Sequence, residues 1–227
     1  MKKYLSVLSR CPLFSGIEPE NILTMLSCMD AQIIKTPKNH PVFREGTPAK
    51  YVGLVLSGRV QVVRHTICGS RHIIAATDPA QIFGAAFACA AVETLPVSAI
   101  ASQDSEILLI DCKRILTVCS NTCAFHARLI SNLLRIVAER NIHVSQKLDI
   151  ISMRTTREKL LAFLAWQAKQ AGSNRFTIAY NRQQLADYLG LGRCAMTTEL
   201  TKLKKDGLID FSGNEFTLLI AQEEHPA

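Results

Sequence analysis

The sequence predicts an α+β chain: an antiparallel β-roll near the N-terminus, one long helix, and a C-terminal winged helix. Three observations predict it. Over residues 31–111, short β-rich runs alternate with turns at intervals of 8–12 residues, as small antiparallel barrels and rolls require. Residues 121–151 carry a helical pattern with no Gly or Pro to interrupt it. Residues 180–205 read as two amphipathic helices around a glycine-containing turn, and β runs follow them.

Residues 1–30 read as helical, with a break at Ser15-Gly16. The expected strands of the roll are 32–35, 41–43, 51–57, 59–65, 72–76, 97–101 and 106–111. Between them lie turn signals such as Glu45-Gly46-Thr47-Pro48, Ser57-Gly58 and Asp78-Pro79. A short helix is expected over 113–119. The long pattern that follows has Leu129, Leu133, Ile136, Val144, Leu148 and Ile151 as an apolar stripe. At 1.5 Å per residue such a helix spans roughly 45 Å. One small domain does not cover that length, so a parallel coiled-coil dimer is expected. Thr155 and Glu158 then form a capping-box pattern that opens a further helix. The expected domains are 1–120 (roll), 121–152 (dimerisation helix) and 153–227 (winged helix).

In 180–205, Asn181 is placed to cap a helix over 182–189, Gly190-Leu191-Gly192 makes the turn, and the second helix runs over 193–205. Leu185, Ala186 and Leu189 share one face of the first helix. Met196, Leu200 and Leu203 share one face of the second. Arg193, Thr197, Thr198 and Lys202 stay off the buried face, and their donors suit base edges and phosphates. A helix, a short strand, this pair of helices and the β runs 209–211 and 216–219 together make a winged helix.

Composition narrows the function. The chain has 227 residues, 48% hydrophobic and 20% charged, as a globular protein has. Net charge is +7, which suits a polyanionic partner without requiring one. Locally, residues 182–205 hold five basic side chains against Asp187 and Glu199. No apolar run approaches membrane-spanning length and no signal-peptide pattern opens the chain, so a cytoplasmic protein is expected. The 8 cysteines contain no CxxC pair and are expected to be reduced thiols. With no nucleophile–base pattern, P-loop or dinucleotide fingerprint, no enzyme is expected. Cys119, Cys123 and His126 share one face at the start of the long helix and are the candidate metal or redox ligands. His65 and His72 flank a turn and are candidate haem ligands.

The chain resembles the Crp/Fnr family of bacterial transcription regulators over nearly its whole length. The matching residues are Phe43-Arg44-Glu45-Gly46, the segment 56–62 (LSGRVQV), Ile82-Phe83-Gly84, Asn181-Arg182-Gln183-Gln184-Leu185-Ala186, and Lys205-Asp206-Gly207-Leu208-Ile209. The resemblance implies a cytoplasmic homodimer on double-stranded DNA, with RNA polymerase as a further partner and half-sites about 34 Å apart. It implies that Arg193, Cys194, Thr197 and Thr198 read bases, and that Asn181, Arg182 and Gln183 grip the backbone. It implies an effector pocket around Phe83, Gly84, Ala85, Phe87, Val97 and Ser98, with Arg140 and Asn141 from the long helix. The chain also departs from the family. Cys194 and Thr198 replace an acidic residue and an arginine common among base readers. Ala85 follows Gly84 where cyclic-AMP-binding members have Glu, and Leu95-Pro96 stands where they have Arg-Ser. The phosphate thus lacks its arginine, and the expected effector is not cyclic AMP bound in the usual way; its identity stays open. A thiol- or metal-based redox sensor is the alternative, although only Cys11 lies where iron–sulfur members cluster cysteines.

Overall fold

The structure is a computed structural model that describes residues 1–65, 71–117 and 124–219, without the side chains of His65, Arg71, His72 and Ala124. The chain divides into two compact units, Met1–Arg140 and Asn141–Ala227.

The first unit opens with short helical segments, among them α1 (Leu5–Arg10) and α2 (Pro19–Cys28). Pro19 sits in the first turn of α2, where its missing N–H costs nothing. The roll follows: β1 (Gln32–Thr36), β2 (Pro41–Phe43), β3 (Tyr51–Ser57), β4 (Val60–His65), β5 (Arg71–Thr77), β6 (Ile82–Phe83), α3 (Ala85–Cys89), β7 (Ser98–Ala101), β8 (Ser105–Asp111) and α4 (Cys112–Leu116). The strands form two antiparallel sheets, ordered β1-β8-β3-β6 and β2-β7-β4-β5. β6 and α3 fall in an apolar stretch with no readable period and were not expected as elements.

β3 is buried on both faces, which explains its continuous apolar run. Val52, Leu54 and Leu56 pack with Leu8, Phe14, Leu26 and Ile110 in a core under the helices. Val55 turns inward to a second core with Val60, Phe83, Ala99 and Ile107. A Cβ on Gly53 would stand 2.3 Å from the Phe83 ring, so only glycine lets that ring close over the strand.

α5 (Ala124–Ser152) is the long helix. Its expected single stripe divides in two. Leu129 and Leu133 are buried in the first unit's core, with Ile136 and Val137 packed against it. Leu134, Val144 and Leu148 lie on the surface, each more than half exposed. Asn132 ties α5 down, donating Nδ2 to the carbonyls of Leu13 (3.0 Å) and Ser15 (2.9 Å).

The second unit holds the end of α5, α6 (Thr156–Ala171), β9 (Arg175–Thr177), α7 (Arg182–Leu189), α8 (Arg193–Lys205), β10 (Ile209–Ser212) and β11 (Glu215–Leu218). The Thr155–Glu158 capping box forms reciprocally: the Thr155 hydroxyl accepts from the Glu158 N–H at 3.1 Å, and the Glu158 carboxylate accepts from the Thr155 N–H at 2.9 Å. The strands form one antiparallel sheet, β10-β11-β9. Its core joins Phe163 and Leu164 of α6 to Leu185, Leu189, Met196, Leu200, Leu203 and Phe216.

Candidate functional site

α7 and α8 begin and end where the sequence predicts. Asn181 Oδ1 accepts from the Gln184 N–H, and Gln184 Oε1 accepts from the Asn181 N–H, both at 2.9 Å. Gly190 closes α7 in the left-handed region (φ 63°), which lets the chain turn at once into α8. Gly192 is the residue before α8 and brings no capping side chain. The first N–H groups of α8 therefore lack a side-chain acceptor, a setting that suits an anionic oxygen.

Met196, Leu200 and Leu203 are buried, which fixes the rotation of α8 about its axis. Arg193, Cys194, Thr197, Thr198 and Lys202 are all exposed. Among the described residues, the Arg193 guanidinium and the Thr198 hydroxyl show no hydrogen-bond or ionic partner. The Thr197 hydroxyl donates to the Arg193 carbonyl at 2.8 Å, leaving its oxygen free to accept. Lys202 Nζ lies 3.6 Å from Glu199. Gln183 donates to Asp187 at 2.8 Å on the exposed side of α7.

Arg182, expected to grip the DNA backbone, packs against the β10–β11 hairpin. Its guanidinium sits 5.0 Å from the ring centres of both Phe211 and Phe216, and Nη2 donates to the Gly213 carbonyl at 2.8 Å. Nη1 is buried without a partner, and burial lowers the side chain's pKa. Arg182 thus clamps the turn of the β10–β11 hairpin to the start of α7.

Sequence reasoning missed the ion pairs that hold α8 and the hairpin. Arg157, in the first turn of α6, reaches Glu199 at 3.4 Å and Asp206 at 2.7 Å. Lys204 pairs with Asp210, and Arg175 with Glu215 at 2.8 Å. These partners lie between 6 and 49 positions apart in the sequence, and no periodic pattern links them.

In the first unit, Phe83, Gly84, Phe87 and Val97 do line a common cavity, with Phe43, Val62, Leu95 and Ala99. The cavity volume is about 20 Å³, room for roughly one water molecule. Among the described residues its lining is apolar and offers no cation to a phosphate. Ala85 is buried beside it at the start of α3. The Ser98 hydroxyl accepts from the Glu45 N–H at 3.0 Å. Arg140 and Asn141 are exposed on α5, at the boundary between the units. The described residues that line this cavity supply no charged group to match an anionic cyclic nucleotide. Of the candidate metal ligands, His126 is buried and bonds through Nε2 to the Ile115 carbonyl at 2.7 Å. Cys119 and Cys123 lie outside the described residues, as do the side chains of His65 and His72.

Two family models match the chain: "Cyclic nucleotide-binding domain" over residues 33–122 and "Crp-like helix-turn-helix domain" over 127–223. The chain belongs to the Crp/Fnr family of transcription regulators. It is 23% identical over 226 residues to the CRP-like cAMP-activated global transcriptional regulator of Mycobacterium tuberculosis, covering 97% of each chain. It is 25% identical over 187 residues to the transcriptional activator protein anr of Pseudomonas aeruginosa, covering 80% of this chain and 74% of that one. The crystal structure of the Thermus thermophilus catabolite activator protein shares the fold, with a TM-score of 0.54, 24% identity and coverage of 91% and 93%. As a Crp/Fnr regulator the protein binds DNA sequence-specifically through its helix-turn-helix. Regulators of this type are typically dimeric. No helix among the described residues is long and apolar enough to cross a membrane.

The hairpin should loosen in acid. Lys204 holds the Asp210 carboxyl below its usual range, and Arg175 does the same for Glu215. A carboxylate whose folded pKa is lowered adds stability above its ordinary pKa, and that stability is lost as pH falls through the folded value. Amide exchange in β10 and β11, corrected for its intrinsic pH dependence, should therefore quicken below the ordinary carboxylate range. Lys204→Met and Arg175→Met together should remove that acid dependence; an unchanged profile would contradict it.

Proposed function

We propose that the protein is a homodimeric cytoplasmic regulator in which α8 reads base edges and the roll answers to an effector other than cyclic AMP. The observation that carries the reading is the exposed row Arg193, Cys194, Thr197 and Thr198, set opposite the buried Met196–Leu200–Leu203 face of the same helix. Arg193 is the main anchor, because a guanidinium bonds guanine O6 and N7 together. Thr197 and Thr198 are the adaptable contacts, and Lys202 takes a phosphate. Asn181 and Gln183, both exposed at the start of α7, are the proposed contacts to backbone phosphates. Contact with RNA polymerase is proposed on the family resemblance alone.

Dimerisation is supported by a heptad pattern along α5, exposed at Leu134, Asn141, Val144 and Leu148 and half-buried at Ile130, Val137 and Ile151. Ile130, Val137, Val144 and Ile151 alternate with Leu134, Asn141 and Leu148 at spacings of four and three. β-branched residues at one seam position and leucine at the other favour a parallel two-stranded coil, and a polar residue on the seam helps fix its register. Leu134 and Leu148 are 68% and 57% exposed, a waste of apolar surface unless a second copy covers it.

The effector reading rests on the apolar, nearly filled cavity and on Ala85 and Leu95 in place of charged and polar groups. A ligand entering there has to move Phe83 or Phe87, and it shifts the protein only if it binds two arrangements with different affinity. The metal-sensor alternative is weakened where it is visible, since His126 Nε2 is committed to a backbone carbonyl.

Three measurements check these readings. Against genomic fragments selected for binding, Arg193→Ala should lose about 1–3 kcal/mol of discrimination at one base position of each half-site; full retained affinity and selectivity would sink the assignment. Leu148→Glu should shift the protein from dimer to monomer in sedimentation while keeping its circular dichroism, because the side chain is exposed in the single chain; an unchanged dimer would place the interface elsewhere. Calorimetry with cyclic AMP should give no heat of binding, and micromolar affinity would overturn the cavity reading.

A further inference from the structure

Cys89 ends α3 and Cys112 opens α4. Both are free cysteines, and their Sγ atoms stand 3.7 Å apart, in contact. Cys112 is 2% exposed, and its N–H donates to the Lys50 carbonyl at 3.0 Å, which holds the start of α4 against the chain just before β3. Cys89 is only partly buried, so an oxidant reaches it first. A disulfide has its sulfurs about 2.05 Å apart, so the pair needs to close by only about 1.7 Å.

We propose that Cys89 and Cys112 are a modification site: a dithiol that hydroperoxides oxidise to a disulfide, tying α3 to α4. In the first step Cys89 sulfur attacks the peroxide; the O–O bond breaks, an S–O bond forms, and the leaving oxygen departs as water or alcohol. In the second step Cys112 sulfur attacks the sulfenic acid at Cys89. The S–S bond forms, the S–O bond breaks, and hydroxide leaves as water with the Cys112 proton. Two thiols are oxidised and one peroxide is reduced. The order of events fits the burial of Cys112, whose thiol is pushed up to about 12 by desolvation first and by Cys89 second. Thiolate character and exposure decide which cysteine an oxidant attacks.

The tie has a structural consequence. α3 starts at Gly84 and carries Phe87, and both line the cavity of the first unit, while Ala85 and Ala88 pack inward to its core. A bond from the last residue of α3 to α4 therefore fixes one wall of that cavity.

The test uses the full chain, reduced and then treated with one equivalent of hydrogen peroxide. Remaining thiols are alkylated and the protein is cleaved after glutamate, lysine and arginine, which leaves Cys89 as the single cysteine of residues 72–93 and Cys112 as the single cysteine of residues 107–113. The expected product is a linked pair of peptides carrying Cys89 and Cys112, lighter by two hydrogens and split by dithiothreitol. Cys112→Ser, with Cys112→Ala as a second variant at this buried position, should leave a sulfenic acid at Cys89 that dimedone traps. Amide exchange across α3 should slow several-fold in the oxidised protein. Linkage through Cys28 or Cys194 instead, or overoxidation of Cys89 with Cys112 still free, would overturn the site. A disulfide that leaves α3 exchange unchanged would overturn the tie.

Discussion

The burial of Met196, Leu200 and Leu203 is the constraint on which the DNA-reading end of this protein depends. Each side chain is essentially removed from water, and burial of a side chain of this size is worth about 1.5–3 kcal/mol. Three such anchors at spacings of four and three leave α8 one rotation about its axis. That rotation, not the identity of any single polar residue, turns Arg193, Thr197 and Thr198 outward together. The Arg157 guanidinium adds direction to the packing: it reaches Glu199 in the middle of α8 and Asp206 at its end. Exposed ion pairs contribute little energy, so their part here is to fix the position of α8 along its length. Arg182 and the phenylalanines of the hairpin extend the same frame to β10 and β11.

The first unit is organised around a different constraint, the closure of the roll over Phe83. Gly53 permits it, Phe43 packs at 5.2 Å between ring centres, and the cavity that remains is small and apolar. Residues 33–122 match a cyclic nucleotide-binding model, yet the cavity within them is lined, among the described residues, by apolar side chains that cannot neutralise a phosphate. The same region brings two thiols into contact at the far end of α3. Chemistry at the cysteines and occupancy of the cavity thus act on one short helix.

Much of this was legible in the sequence, and for identifiable reasons. Local chemistry fixes α7 and α8: Asn181 with Gln184 at one end, Gly190 between them, and apolar positions at helical spacing. The same holds for the Thr155–Glu158 box and for strands bounded by Gly and Pro turns. What sequence did not show depends on distant partners. α5 carries two apolar faces that overlap in the linear pattern, so Leu129 and Leu133, which meet their own core, read as one stripe with Val144 and Leu148, which do not. β6 and α3 were hidden in an apolar stretch whose direction changes at Gly84. Arg182 has the donors of a phosphate ligand, and only the folded hairpin shows that its guanidinium lies against Phe211 and Phe216 and donates to the Gly213 carbonyl. The contact between Cys89 and Cys112 joins positions 23 apart across β7 and β8, which no spacing rule reveals.

The central claim is that the exposed face of α8 lies in the major groove, once in each half-site. Cys194 on that face supplies a natural handle, since its thiol is exposed. The direct measurement attaches an iron chelate to Cys194 in a Cys28→Ser background and maps cleavage on a DNA fragment selected for binding, with the Cys194→Ser protein as control. Two cleavage centres related by two-fold symmetry and separated by about 34 Å, one helical turn, are predicted. Cleavage no stronger than in the control, on a fragment the protein still binds, would contradict it.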